Sequence, residues 1–400
     1  MHVALSRNDW DTTMYRLVLR QELLELSCRL AHLRRTLLDV AAEHIDTVMP
    51  AYTHGQQAQP TTFGHYLAAV DAEFAKDHER LLEMWSRLNR SPMGAAALGT
   101  SGYPVDREFV AQLLGFDGLV ENSYEAVASA DFSAEYAALA QIWLGHVSRF
   151  ITDMMFWIAN EVAAIRLHSS LIQVSSIMPQ KRNPVALEHV RAFTTRALGV
   201  AGGIVQQMHN VPFGDVNDVN DDLQPSVRWL TGQLLDIAEL LADVVGTMEV
   251  DRDLLHRRAA EGFAPVTELA DVLVREGGLP FRTAHHIVSD VVTILTSRGE
   301  SLADLTLEVL NDAAMRVTGQ AAPLTEEQLR TAVDPVHFVH VRRVRGGPAR
   351  DEMRRYLADA RRRLEEVETA FERLADNLRT ADSHRERLID ELILKGVVPI

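Results

Sequence analysis

The chain has 400 residues, enough for a large core and for two or three domains. Its 56 acidic and 40 basic side chains leave a formal charge of −16, which argues against nucleic acid as a partner and requires positive charge to be concentrated locally wherever an anion binds. The single cysteine, Cys28, excludes an intrachain disulfide. No zinc-ligand spacing appears and no basic-then-apolar leader follows Met1, so the expectation is a soluble, cytoplasmic protein.

Ser6-Arg7-Asn8-Asp9 stands just ahead of a long helical pattern, and either Ser6 or Asn8 could cap that helix. Leu19, Leu23, Leu26, Leu30, Leu33, Leu37 and Val40 follow at alternating steps of four and three, the a/d seam of helices packed nearly parallel. Pro50 and Pro60 bracket Tyr52-Thr53-His54-Gly55-Gln56-Gln57-Ala58-Gln59, which therefore reads as a loop. From Thr61 a second helix carries Phe63, Leu67, Val70, Phe74, Leu81 and Leu88 on one seam. Gly99 to Pro104 is turn-rich and leads into Val105-Asp106-Arg107-Glu108. Ala137 to Ile165 is the most apolar region, but His146, Arg149, Asp153 and Glu161 interrupt it, so it reads as a buried helix and not as a membrane span.

Val174 to Glu188 reads VSSIMPQKRNPVALE. Gln173 to Pro184 has no apolar rhythm, which places Ser175, Ser176, Lys181 and Asn183 on a loop, with Asn183 as N-cap and Pro184 as the first residue of the next helix. The residues alone fit two readings. One is a polar loop that caps a helix and leaves Lys181 in solvent. The other is a carboxylate cradle made from the Lys181 ammonium, the Asn183 amide and the unpaired amides of the helix start.

Asn210 to Gln224 is an acidic loop, and Val227, Leu230, Leu234, Ile237, Leu241, Val244 and Met248 form another long seam. Beyond Val250 the helices shorten: Thr267 to Arg275 ends at Gly277-Gly278, and Pro280 opens the next. His285 and His286 read as structural. Leu357, Ala360, Leu364, Val367, Phe371, Leu374 and Leu378 mark an amphipathic docking helix amid dense charge. The expected fold is all-α, a long-helix bundle over residues 1–249 with a small helical C-terminal domain over 250–400 that ends in an extended amphipathic tail helix.

Ser175 to Pro184 resembles SSxMPxKxNP, the signature loop of the fumarase/aspartase superfamily, homotetrameric lyases that release fumarate from a succinyl group; with Gln180 in MPQK, it is most similar to the argininosuccinate lyase family. Three other segments carry the same resemblance: Ser6-Arg7-Asn8-Asp9, the Tyr52–Pro60 block (YTHxQxAQP) and the block at Gly99–Pro104. The resemblance implies that Arg7 and Asn8 hold the fumarate-forming half of the substrate and that Thr53 and His54 enter the active site. It makes Ser175 the base beside Ser176, with Gln224 on the substrate's other half. Lys181, Asn183 and the helix start would carry the charge that builds on the substrate carboxylate. His54, whose ordinary pKa lies near neutrality, would serve the leaving amine, oriented by Glu188.

The activity so implied is elimination of fumarate from an N-substituted aspartate, first of all argininosuccinate to arginine and fumarate. Sites built from three subunits of a homotetramer, no metal or organic cofactor, and no nucleic-acid or membrane partner complete the expectation. There are departures from the pattern. Trp10 stands in place of Gln, Gln57 of Arg and Val185 of Asp; aligned on Asp222-Leu223-Gln224, Val219 falls at a Tyr position and Val227 at a Lys position. The family also carries a domain ahead of the Ser6 motif, so a truncated or misassigned start, or a reduced pocket, is expected. These differences keep two alternatives open: a lyase for another N-succinyl amine such as ethylenediamine disuccinate, and a noncatalytic homologue.

Overall fold

Helix α1 (Arg7–Glu43) starts at a reciprocal cap: the Asn8 amide donates to Ser6 Oγ at 3.4 Å and the Ser6 amide donates to Asp9 Oδ1 at 3.1 Å. Of the two candidate caps it is Ser6 that closes the helix. The computed structural model describes residues 4–395; the outermost residues of the two expected regions, 1–3 and 396–400, lie outside it. From α1 the chain turns through the hairpin β1 (Val48–Thr53) and β2 (Gln56–Thr62) into α2 (Phe63–Leu88). Two short helices come next, α3 (Arg107–Leu113) and α4 (Ser123–Ala128), before the long α5 (Asp131–Ile158). The chain continues through β3 (Ile165–Arg166), β4 (Gln173–Val174), β5 (Arg182–Asn183), α6 (Val185–Gln207), α7 (Gln224–Thr247) and β6 (Glu249–Val250). Helices α1, α2, α5, α6 and α7 pack as a closed ring in that order, with α7 returning to α1.

The seams read from the sequence are the core of this ring. Leu23, Leu33, Leu37, Val147, Leu230 and Ile237 are fully buried, each contributing about 1.5–3 kcal/mol relative to exposure. Of the apolar stretch Ala137 to Ile165, expected as one buried helix, only the part to Ile158 is helical, as α5 of the bundle; the chain then turns, and Ile165 pairs in β3 with Val250. No described helix is long and apolar enough to cross a membrane. A polar network threads the core between α1 and α2: Arg34 Nε donates to Asp71 Oδ1 at 2.9 Å, and Ser27 Oγ and His78 Nε2 lie 2.7 Å apart.

Beyond β6 the chain forms α8 (Arg252–Glu261), α9 (Val266–Arg275), α10 (Phe281–Arg298), α11 (Leu307–Thr318), α12 (Glu326–Val333) and α13 (Pro335–Val341). Leu269, Leu273, Ile287, Val291, Leu310 and Leu329 make a second, smaller core there. The tail helix α14 (Arg350–Leu394) leaves that body and runs back along the bundle, antiparallel to α1. Arg350 Nε donates to Asp46 at 2.8 Å and Arg361 Nη2 to Asp39 at 2.8 Å, while Leu378 packs near Gly115 at the far end. Its buried residues, Met353, Leu357, Ala360, Leu364, Phe371 and Leu378, belong to the bundle core.

Two further local readings need correction. Tyr52 to Pro60 is a paired hairpin and not a loop: Thr53 faces Gln56 across a two-residue turn, and the loop-signalling Pro50 and Pro60 face one another at the register irregularity. Helix α6 begins one residue later than expected, at Val185, with Pro184 at the cap position and ψ of 59°. Asn183 cannot serve as N-cap because it is paired with Gln173 in the β4–β5 ladder.

Candidate active site

His54 and Gly55 form the tip of the β1–β2 hairpin, with φ of +54° and +73°. Two consecutive positive φ values define the type I′ turn that matches strand twist. Gly takes such values freely, and His is among the few other residues that tolerate them. Thr53 and His54 are consequently exposed side by side. The hairpin is braced from the C-terminal body: Gln59 Nε2 donates to Thr267 Oγ1 at 3.1 Å, and Gln57 lies against Gly262, where a Cβ would meet Gln57 Oε1 at 2.3 Å. Tyr52 packs edge-on against Phe156 near the end of α5, with ring centroids 5.4 Å apart.

The segment leaving that same end of α5 carries the serine pair. Strands β4 and β5 clamp the base of the loop between Val174 and Arg182, and Arg182 Nη2 is anchored on the Leu167 carbonyl at 3.2 Å. Inside the loop, the amides of Ile177 and Met178 donate to Ser175 Oγ at 3.4 and 3.2 Å. Two donors aimed at one hydroxyl oxygen favour its charged form, which is what a serine base needs. Lys181 meets Ser175 through the backbone, the Ser175 amide donating to the Lys181 carbonyl at 3.4 Å, and its ammonium is exposed. Ser176 is exposed, Asn183 is half-buried, and Glu188 lies exposed on the first turn of α6. That turn has no side-chain cap. Among the described residues no hydrogen bond or ion pair joins His54 to Glu188.

Arg7, Asn8 and Gln224 lie at the other end of the bundle. Asp9, fully buried, fixes this corner by accepting from the amides of Gly94 and Ala96, both at 2.9 Å. Arg7 Nε sits 3.4 Å from Asp11 Oδ2. Gln224 opens α7 opposite, and the two elements are joined where Tyr15 donates its hydroxyl proton to Asp221 Oδ1 at 2.6 Å. Burial and the Asp221 carboxylate raise both the Tyr15 and the Asp11 pKa. Val219 and Val227 are 6% and 3% exposed, so both are packing residues. Tyr15 and Asp221 are not singled out by the sequence reading; the available signal is that Tyr15 succeeds Arg7 and Asp11 at steps of four, on one helix face.

The candidate residues therefore fall into two groups. Helix α1 has 37 residues, about 55 Å at 1.5 Å per residue, with Arg7 and Asn8 at its start and the hairpin of His54 beyond its end. Helix α7 runs parallel to it, with Asp221 beside Tyr15 at one end and Gly246 beside Thr36 near the other. One chain keeps Arg7, Asn8 and Gln224 a helix length away from His54.

Known proteins resemble the chain throughout. A family model described as Lyase matches residues 1–199, and one described as Argininosuccinate lyase C-terminal matches residues 263–340. Argininosuccinate lyase 2 of Agrobacterium fabrum is 39% identical over 374 residues, 93% of this chain and 74% of its own length. The argininosuccinate lyase of Methanosarcina acetivorans is 36% identical over 397 residues, 98% of this chain and 79% of its own. Among solved structures, EDDS lyase in complex with formate superposes with a TM-score of 0.93 at 32% identity, covering 100% of this chain and 80% of that one. The chain belongs to the argininosuccinate lyase family of the fumarase/aspartase superfamily.

Proposed function

We propose that the protein is a carbon–nitrogen lyase that eliminates fumarate from an N-substituted aspartate, with argininosuccinate as the substrate and arginine as the second product. The observation that carries this reading is the 36–39% identity to argininosuccinate lyases over more than nine-tenths of the chain. The retained run from Ser175 to Pro184 supports it.

In this reading Ser175 removes the proton next to the substrate carboxylate, and the Ile177 and Met178 amides that point at its oxygen stabilise the alkoxide. Lys181, Asn183 and the uncapped first turn of α6 meet the charge that builds on the carboxylate, each well-placed donor being worth roughly 10²–10³ in rate. His54 protonates the departing amine; because no hydrogen bond or ion pair joins it to Glu188 among the described residues of one chain, the Glu188 that orients it comes from another copy. Arg7, Asn8, Thr53, Ser176 and Gln224 position the substrate.

Because Arg7 and Gln224 lie a helix length from His54, these roles require more than one copy of the chain. A homotetramer with composite sites satisfies that geometry, in a reducing, cytoplasmic setting. The buried Val219 and Val227, together with the match to EDDS lyase over the whole chain, favour a second reading in which another N-succinyl amine is cleaved. Fumarate release, monitored by ultraviolet absorbance with argininosuccinate, ethylenediamine disuccinate and other N-substituted aspartates, separates the two. Release from argininosuccinate supports the first, and release only from others supports the second. Silence across the panel from a folded assembly contradicts both and favours a noncatalytic homologue.

A further inference from the structure

A cleft of about 490 Å³ opens between α1 and the start of α7, at the end of the bundle that carries Arg7, Asn8 and Gln224. Met14, Val18 and Val227 supply apolar walls, and Tyr15, Glu22 and Gln224 supply polar ones. Along α1, Arg7, Asp11, Tyr15, Val18 and Glu22 recur at steps of four, four, three and four, so one helix face leads from the residues assigned to the succinyl half straight into the cleft.

Two features of the cleft point to a bound polar group. The Gln224 side-chain Nε2 is buried and has no hydrogen-bond partner among the described residues, which is costly for a donor unless a ligand satisfies it. Asp221 lines the cleft with one oxygen held by Tyr15 at 2.6 Å, and among the described residues it makes no ion pair. The neighbouring charges are unbalanced. Arg7 faces Asp11, and Arg228 tempers Glu22, whereas Asp221 and Asp215 both press on Asp11 and raise its pKa beyond what burial does. A cation entering beside Asp221 relieves that repulsion.

We propose that Asp221, oriented by Tyr15, is the specificity-determining carboxylate for the leaving amine, and that the α1–α7 cleft selects amines carrying a second positive group, ammonium or guanidinium, at their far end. Gln224 Nε2 donates to an acceptor nearer the scissile bond, and Met14, Val18 and Val227 pack against the amine's aliphatic stem. Tyr15 acts through Asp221 and is a positioning residue. The inference rests on the lyase reading given above.

The test uses N-substituted aspartates whose amines are matched in length but end in either ammonium or methyl. The unmodified protein should favour the ammonium end in kcat/KM. Asp221→Asn keeps an acceptor for Tyr15 and removes only the charge; it should lower the ammonium-over-methyl ratio roughly tenfold, mostly through KM, the scale of a hydrogen bond to a charged group. Tyr15→Phe should move the ratio in the same direction by less. If Tyr15→Phe does not assemble, the isosteric Asp221→Asn decides alone. Fumarate release with an unchanged ratio in Asp221→Asn overturns this inference and leaves the lyase reading intact. No release from any substrate by the unmodified protein overturns the lyase reading, and this inference with it.

Discussion

Arg34 Nε lies 2.9 Å from Asp71 Oδ1, with the two side chains 2% and 1% exposed, in the seam where α1 meets α2. A buried pair of this kind is weak evidence of net stabilisation, because desolvation opposes the attraction, but breaking it leaves a lone charge in the core. Asp71→Ala should therefore destabilise the fold by about 3–5 kcal/mol, whereas replacing both residues with well-packed apolar ones should cost far less. Urea unfolding of the single and double variants measures the difference.

His78 lies in the same seam, 2.7 Å from Ser27 Oγ, stacked on Phe371 of α14 and near the Arg34 guanidinium. Burial, with a smaller push from Arg34, lowers its pKa from 6.5 to about 3. An unfolded chain takes up a proton on this ring near pH 6.5 that the folded chain refuses until about pH 3. The contribution is complete above 6.5 and is lost as the pH falls toward 3, a matter of roughly a few kcal/mol over that window. Denaturation midpoints compared between pH 8 and pH 5 should fall in the parent and fall less in His78→Gln.

The turn at His54 separates chemistry from folding. His54→Asn keeps a residue that tolerates positive φ, so the hairpin and the melting temperature should persist while kcat drops roughly 10²–10⁴-fold. His54→Val puts a β-branched residue at φ of +54° and should destabilise the hairpin as well. Rate and melting curves on both variants check the split.

The proposed composite sites can be tested by a mixing experiment. Arg7→Ala and Ser175→Ala should each abolish most activity when every copy carries the change. Unfolded together and refolded, they should regain activity in roughly a quarter of sites if each site takes Arg7 from one copy and Ser175 from another drawn at random. Failure of a properly assembled mixture to recover would mean that both residues serve the site from the same copy.

The long helices are open to sequence reading because their spacing is dictated by burial: Leu19 to Leu37 and Val227 to Val244 occupy the core as their seam requires. The serine loop is equally plain, since its residue types occur at fixed intervals. The hairpin at Thr53 is hidden because Pro50 and Pro60, ordinarily breakers, pair with each other at an irregularity, and because His54 in place of the usual Asn disguises a type I′ turn. Amphipathicity at Leu357 to Leu378 signals a docking face without saying which body receives it. Tyr15 and Asp221 meet only because α1 and α7 run parallel, and a contact 206 positions apart has no local signature.

The most direct test of the lyase assignment is fumarate release from argininosuccinate by the unmodified protein and by Ser175→Ala, both verified as the same assembly by light scattering. The first should release fumarate readily and the second should lose at least about 10²-fold in kcat, as expected when a base is removed. Release that survives Ser175→Ala unchanged would contradict the role given to Ser175. No release from argininosuccinate or any other N-substituted aspartate by the unmodified assembly would contradict the lyase assignment itself.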